Sequence, residues 1–85
     1  MQKFSYVITD GEGIHARPAG QLVKLCKSFS SKVKMDCNGK QVDAAKLLAV
    51  MSVGAKQGHQ VDFTIEGDKE EDEAKQLEDF MKTNL

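Results

Sequence analysis

The chain has 85 residues, 40% of them hydrophobic, enough for one modest core and too few for a core that also encloses a catalytic cavity. Twelve Lys and Arg residues face thirteen Asp and Glu, a net charge of −1, so there is no general positive field of the kind that draws nucleic acid. No apolar run reaches membrane length, and Met1 to Ser5 leads into a strand pattern and not a signal peptide; the expectation is one soluble, cytoplasmic domain over residues 1–85, working at its surface.

Phe4, Tyr6 and Ile8 alternate with polar residues and predict a first strand with one buried face. Gly11-Glu12-Gly13 then reads as a loop needing backbone freedom. Pro18 lacks an N–H and is tolerated only in the first turn of a helix, so a helix begins near His15 and runs from about Ala16 to Lys27. Ala19, Leu22, Val23 and Cys26 mark its core side, while Arg17, Gly20, Lys24 and Lys27 fall on the solvent side. Cys26 and Cys37 show no CxxC spacing and read as free thiols that pack.

Val33, Met35 and Cys37 predict the second strand, Asn38-Gly39 a two-residue hairpin turn, and Lys40 to Val42 a short third strand. A short helix should include Leu47, Leu48 and Met51 and stop before Gly54. Three neighbouring apolar residues cannot all face inward from so short a helix, so they are expected to divide between core and surface. Val61, Phe63 and Ile65 form the last strand. The final helix opens on Asp68-Lys69-Glu70-Glu71, an aspartate form of the capping box, with Asp72 and Glu73 favouring its dipole and Ala74, Leu77, Phe80 and Met81 facing the core.

The resulting order, βαββαβα, is a split βαβ pattern with a helix added. Lys32, Lys34, Asp36, Asp62 and Thr64 alternate with the core residues, so one sheet face is bare. The predicted fold class is α+β, an open-faced sandwich with a four-stranded antiparallel sheet and three helices on one face.

His15 stands where the loop enters the first helix, beside Arg17 and the main-chain N–H groups of Ala16 and Arg17. A helix start is a ready anion site, and a guanidinium offers several donors to phosphate oxygens. Positive potential there disfavours imidazolium and leaves the ring a nucleophile for a transferable phosphoryl group. His59 has no evident partner and reads as a surface residue. The two histidines are 44 positions apart, without a ligand set around them, and no metal site is expected. Neither a Walker sequence nor a nucleotide fingerprint occurs, so no cofactor is expected.

Gly13-Ile14-His15-Ala16-Arg17-Pro18-Ala19 resembles the active-site signature of HPr, the histidine-containing phosphocarrier family of the bacterial phosphoenolpyruvate:sugar phosphotransferase system. Asn38-Gly39-Lys40, Leu47 to Gly54 and Lys56-Gln57-Gly58 resemble that family's hairpin and second-helix region, in the same order. The resemblance implies that His15 accepts phosphate on Nδ1 from phosphorylated Enzyme I and passes it to IIA domains of sugar permeases. Arg17 would steady the phosphoryl group. Gly20, Lys24, Lys27, Leu47, Leu48 and Met51 would form a docking surface, and the protein would act as a monomeric stoichiometric carrier and not as a turnover enzyme.

Lys46 stands where many Gram-positive members have a serine phosphorylated by a dedicated kinase. It cannot be modified in that way and supplies no hydroxyl to cap the second helix, although Asp43 is available to cap an earlier start. That substitution also fits a regulatory, nitrogen-type relative in which phosphorylation controls partner binding. A third reading is a noncatalytic module that binds an anion at the helix start.

Overall fold

A computed structural model describes residues 1–85. The elements are β1 (Gln2–Val7), α1 (Ala16–Ser28), β2 (Lys32–Cys37), β3 (Lys40–Asp43), α2 (Leu47–Ser52), β4 (Gln60–Glu66) and α3 (Glu70–Asn84), in the predicted βαββαβα order. The four strands form one antiparallel sheet in the order β1-β4-β2-β3.

Side chains one residue apart on a strand point to opposite faces, so register decides what each face carries. Phe4, Phe63, Met35 and Val42 line up across all four strands on the inner face, and the Phe4 and Phe63 rings stack with centroids 5.2 Å apart. The next row, Ser5, Asp62, Asp36 and Gln41, lies on the bare face and sets two carboxylates directly opposite each other. Such a pair repels. Neighbouring donors offset it: the Ser5 hydroxyl and the Gln60 amide donate to Asp62 at 2.5 and 2.9 Å, and the Gln41 amide donates to Asp36 at 3.1 Å. The Ser5 and Gln60 bonds hold the Asp62 carboxyl below its ordinary range.

Pro18, Ala19, Leu22, Val23 and Cys26 of α1, Val50 of α2, and Leu77 and Met81 of α3 close the inner face. Both cysteines are buried and unpaired, and burial, with Asp43 adding to it, pushes the Cys26 thiol up to about 12. Burial raises the Cys37 thiol too, so both side chains are packing groups held away from the thiolate form. The β2–β3 hairpin turns through Asn38 and Gly39 at φ +55° and +77°, the two positive values a type I′ turn requires.

Two helix starts differ from expectation, in three respects. Asp68 does not cap α3: Lys69 precedes the helix with no side-chain cap, and the reciprocal pair lies one residue earlier, with the Glu70 N–H donating to the Gly67 carbonyl and the Gly67 N–H donating to Glu70 Oε1. Asp43 starts no earlier helix; its carboxylate accepts the Ala45 N–H at 2.9 Å in a turn, and α2 begins at Leu47 after Lys46, which also makes no side-chain cap. Glu73 serves more than the helix dipole. It is buried, and its carboxylate accepts the N–H groups of Ser30 and Ser31 at 2.8 and 3.0 Å, fastening the loop after α1 to α3.

Burial alone would raise the Glu73 carboxyl, but the dipole of the Ser31 hydroxyl and the two N–H donors outweigh it and hold the group below the usual glutamate value of 4.5. A depressed carboxyl stabilises the fold fully above the unfolded value, and that contribution fades as pH falls through the folded one. Glu73→Ala should therefore cost about 2 kcal/mol in urea unfolding at pH 7, because one buried and one part-buried N–H group lose their acceptor. The deficit relative to the parent should shrink below pH 4.5 as the parent's carboxylate is protonated.

Candidate functional site

The loop before α1 is shaped by one close approach. Gly13 has φ +67°, and a Cβ placed on it would lie 2.3 Å from the Ala55 carbonyl oxygen and 2.7 Å from the Lys56 Cα. Only glycine permits both the backbone conformation and the contact. The next residue uses that approach: the Ile14 N–H donates to the Ala55 carbonyl at 3.0 Å, and its side chain is buried. The 56–59 turn is fixed in its own right, since Gly58 and Ile8 exchange a bond at 2.9 Å and Ile8 and His59 another at 3.0 Å. Thr9 and Asp10 at the loop's other end donate their N–H groups to the Leu85 carbonyl, which also accepts the Thr9 hydroxyl.

His15 is the residue that enters α1, extended at φ −94° and ψ −179°, and its side chain caps nothing. The imidazole is 36% exposed, neither sealed in the core nor loose in solvent. The first N–H to find a helical acceptor is that of Ala19, which donates to the His15 carbonyl at 2.9 Å. Pro18 has no N–H, so the donors left free at the helix start are those of Ala16 and Arg17. The Arg17 side chain is exposed and engaged in no intramolecular ion pair, which leaves its donors available to an incoming anion.

The residue pattern predicts purely positive surroundings for the ring, but two carboxylates lie beside it. Asp10 Oδ2 lies 3.7 Å from Nε2 and Glu12 Oε2 lies 3.6 Å from Nδ1. Sequence reading treated Glu12 only as part of a flexible loop and passed over Asp10. The Asp-x-Glu spacing ahead of Gly13 was the available signal, because the Asp10 carboxylate accepts the Glu12 N–H at 2.8 Å and curls both acids towards the histidine.

Leu47, Leu48 and Met51 do not divide between core and surface. They are 42%, 84% and 41% exposed, and together they make three of the five large hydrophobic side chains left in solvent. Val50 takes the inward position instead and Ala49 is half-buried, so the six-residue helix keeps its three larger apolar side chains outside. Because α2 packs against α1, this apolar group adjoins the helix that His15 begins. Lys24 is exposed, and Gly20 is half-buried with open space where a Cβ would stand. Lys27 is displaced from the rest: eleven residues beyond Ala16, about 16 Å along the axis, it lines a groove with Lys32, Val42 and Asp43.

His59 has partners, contrary to the sequence reading. Its Nδ1 accepts the Lys56 N–H at 3.0 Å and so carries the lone pair, which also faces the Asn38 side-chain amide at 3.3 Å. The ring ties the hairpin turn to the segment on which Gly13 rests, a structural role.

Residues 2–83 match the model of the PTS HPr component phosphorylation site family. The chain belongs to the HPr family of phosphotransferase-system phosphocarriers. It is similar to an HPr from Thermoanaerobacter tengcongensis, with 35% identity over 98% of this chain and 93% of that one and a TM-score of 0.92. The histidine-containing phosphocarrier protein of Mycoplasma is 32% identical over 94% of this chain and 91% of its own, with a TM-score of 0.91. The catabolite repression containing protein Crh of Bacillus subtilis, described as a swapped dimer, is 25% identical over 94% and 92%, with a TM-score of 0.77.

Gly13→Ala should lower stability by about 2 kcal/mol or more, since it combines a positive φ with a clash against main-chain atoms that cannot rotate away. Thermal unfolding would measure the loss. Amide exchange should place the local loosening at Ile14, whose bond to Ala55 is the first to break.

Proposed function

We propose that this chain carries a phosphoryl group on His15 Nδ1, received from phosphorylated Enzyme I and delivered to IIA proteins of sugar permeases. The observation that carries this reading is the partly exposed imidazole at the start of α1, beside the free N–H groups of Ala16 and Arg17 and an unpaired guanidinium. Exposure lets donor and acceptor proteins reach one nitrogen in turn, and the helix start and Arg17 offset the charge that arrives with the phosphoryl group. Residues 1–85 act as one monomeric unit in the cytoplasm, and the apolar group Leu47, Leu48 and Met51, with Gly20 and Lys24 beside it and Lys27 farther along α1, forms the docking surface.

Incubation with phosphoenolpyruvate and Enzyme I should place an acid-labile, base-stable phosphate on the protein and none on His15→Ala. Label retained by His15→Ala refutes the assignment. Arg17→Ala should keep its fold and transfer about tenfold more slowly, the loss of roughly 1.4 kcal/mol of transition-state stabilisation; stopped-flow transfer rates would check this.

Leu48→Asp tests the docking surface apart from the chemistry. At 84% exposure the side chain contributes little to the core, so the melting temperature should hold while the acceptor's KM rises about tenfold.

Lys46 supports a second reading. It is exposed at the start of α2 and offers no hydroxyl, so phosphorylation at that position cannot regulate this chain. A nitrogen-type regulatory carrier would share that trait, and the acceptors separate the two: a sugar-specific IIA protein supports transport, whereas a regulator as the sole acceptor supports signalling.

A further inference from the structure

The two carboxylates beside His15 are held very differently. Asp10 is built into the loop: its Oδ1 accepts the Glu12 N–H at 2.8 Å, its carbonyl accepts the Gly13 N–H at 2.9 Å, and its own N–H donates to the Leu85 carbonyl at 2.9 Å. The Glu12 side chain is 78% exposed and makes no hydrogen bond. The charge facing Nε2 is therefore fixed, and the charge facing Nδ1 is free to swing.

Resting on the phosphocarrier reading, we propose that Glu12 is an electrostatic gate at Nδ1 and that Asp10 is the positioning residue that keeps the ring proton on Nε2. A neutral imidazole has one protonated nitrogen and one lone pair. A tethered carboxylate favours the tautomer whose N–H points at it, which leaves the pair on Nδ1. In the transfer step that pair forms the N–P bond while the bond from phosphorus to the donor's leaving atom breaks, its electrons remaining with the donor. The Nε2 proton stays in place, and the positive charge the ring gains faces Asp10.

The phosphoryl group then enters the space Glu12 faced. Glu12 rotates outward, but one negative charge remains near an incoming group of about two. Across about 5 Å of largely aqueous medium at physiological salt, that repulsion disfavours the phosphorylated form by about three- to tenfold. Asp10 supports the product on one side of the ring and Glu12 opposes it on the other, so the carrier is loaded without becoming a sink.

The test uses the whole chain at equilibrium with Enzyme I, phosphoenolpyruvate and pyruvate at a fixed ratio, with the phosphorylated fraction read by phosphorus NMR. Glu12→Gln should raise the ratio of phosphorylated to free protein about three- to tenfold at physiological salt, and Glu12→Lys should raise it further; both differences should shrink in 1 M salt. Asp10→Asn keeps an oxygen for the Glu12 N–H, and nitrogen-15 shifts of His15 should show its tautomer moving towards Nδ1–H. A ratio in Glu12→Gln equal to or below the parent's overturns the gate, and an unchanged tautomer in Asp10→Asn overturns the positioning role. Failure of the parent to be phosphorylated at all would instead remove the phosphocarrier reading on which both depend.

Discussion

Between Gly13 and the backbone of Ala55 and Lys56 there is no room for even a methyl group, and the placement of the histidine follows from that packing. The loop can lie flat on the segment after α2 only because residue 13 lacks a side chain and can hold φ +67°. Ile14 then finds the Ala55 carbonyl and the core at once, and His15 is left as the next residue, extended, at the start of α1. A loop carrying Ala there would stand off the 55–56 backbone and turn the ring away from the free amides. The imidazole's position is thus decided by sterics two residues upstream, not by any bond the ring itself makes.

The sheet register separates two surfaces with different demands. Its inner rows supply a continuous apolar floor for the helices, whereas the outer rows carry exposed lysines, and aspartates satisfied by a serine hydroxyl and two amides. His15, Arg17 and the apolar side chains of α2 all lie on the helical side. The apolar side chains left outside there, Leu47, Leu48 and Met51, are confined to one six-residue helix, so the exposed patch is small.

Much of this arrangement was legible in the residues. Alternation revealed the sheet and its bare face, Pro18 revealed the start of α1, and Asn38-Gly39 revealed a hairpin that forms as expected. His15 and Arg17 stood out for the same reason, since helix starts are local features. What escaped notice was long range. Glu73 looks like one more acid in a helical first turn until its partners, Ser30 and Ser31, are seen forty residues away. His59 looks idle until Asn38 is brought beside it. The side division of α2 failed because periodicity in six residues cannot say which of five apolar side chains faces in. Asp10 was missed although it is local, because a turn-closing aspartate and an aspartate beside a functional ring read alike in one dimension.

The carbonyl of Leu85 receives three donors from Thr9 and Asp10, so the far end of α3 is stitched to the foot of the histidine loop. A helix terminus is ordinarily the first part of a protein to fray. Here the consequence would reach beyond the helix: as the last turn of α3 unwinds, the bonds that hold Thr9 and Asp10 go with it, and the loop ahead of His15 loses its strut.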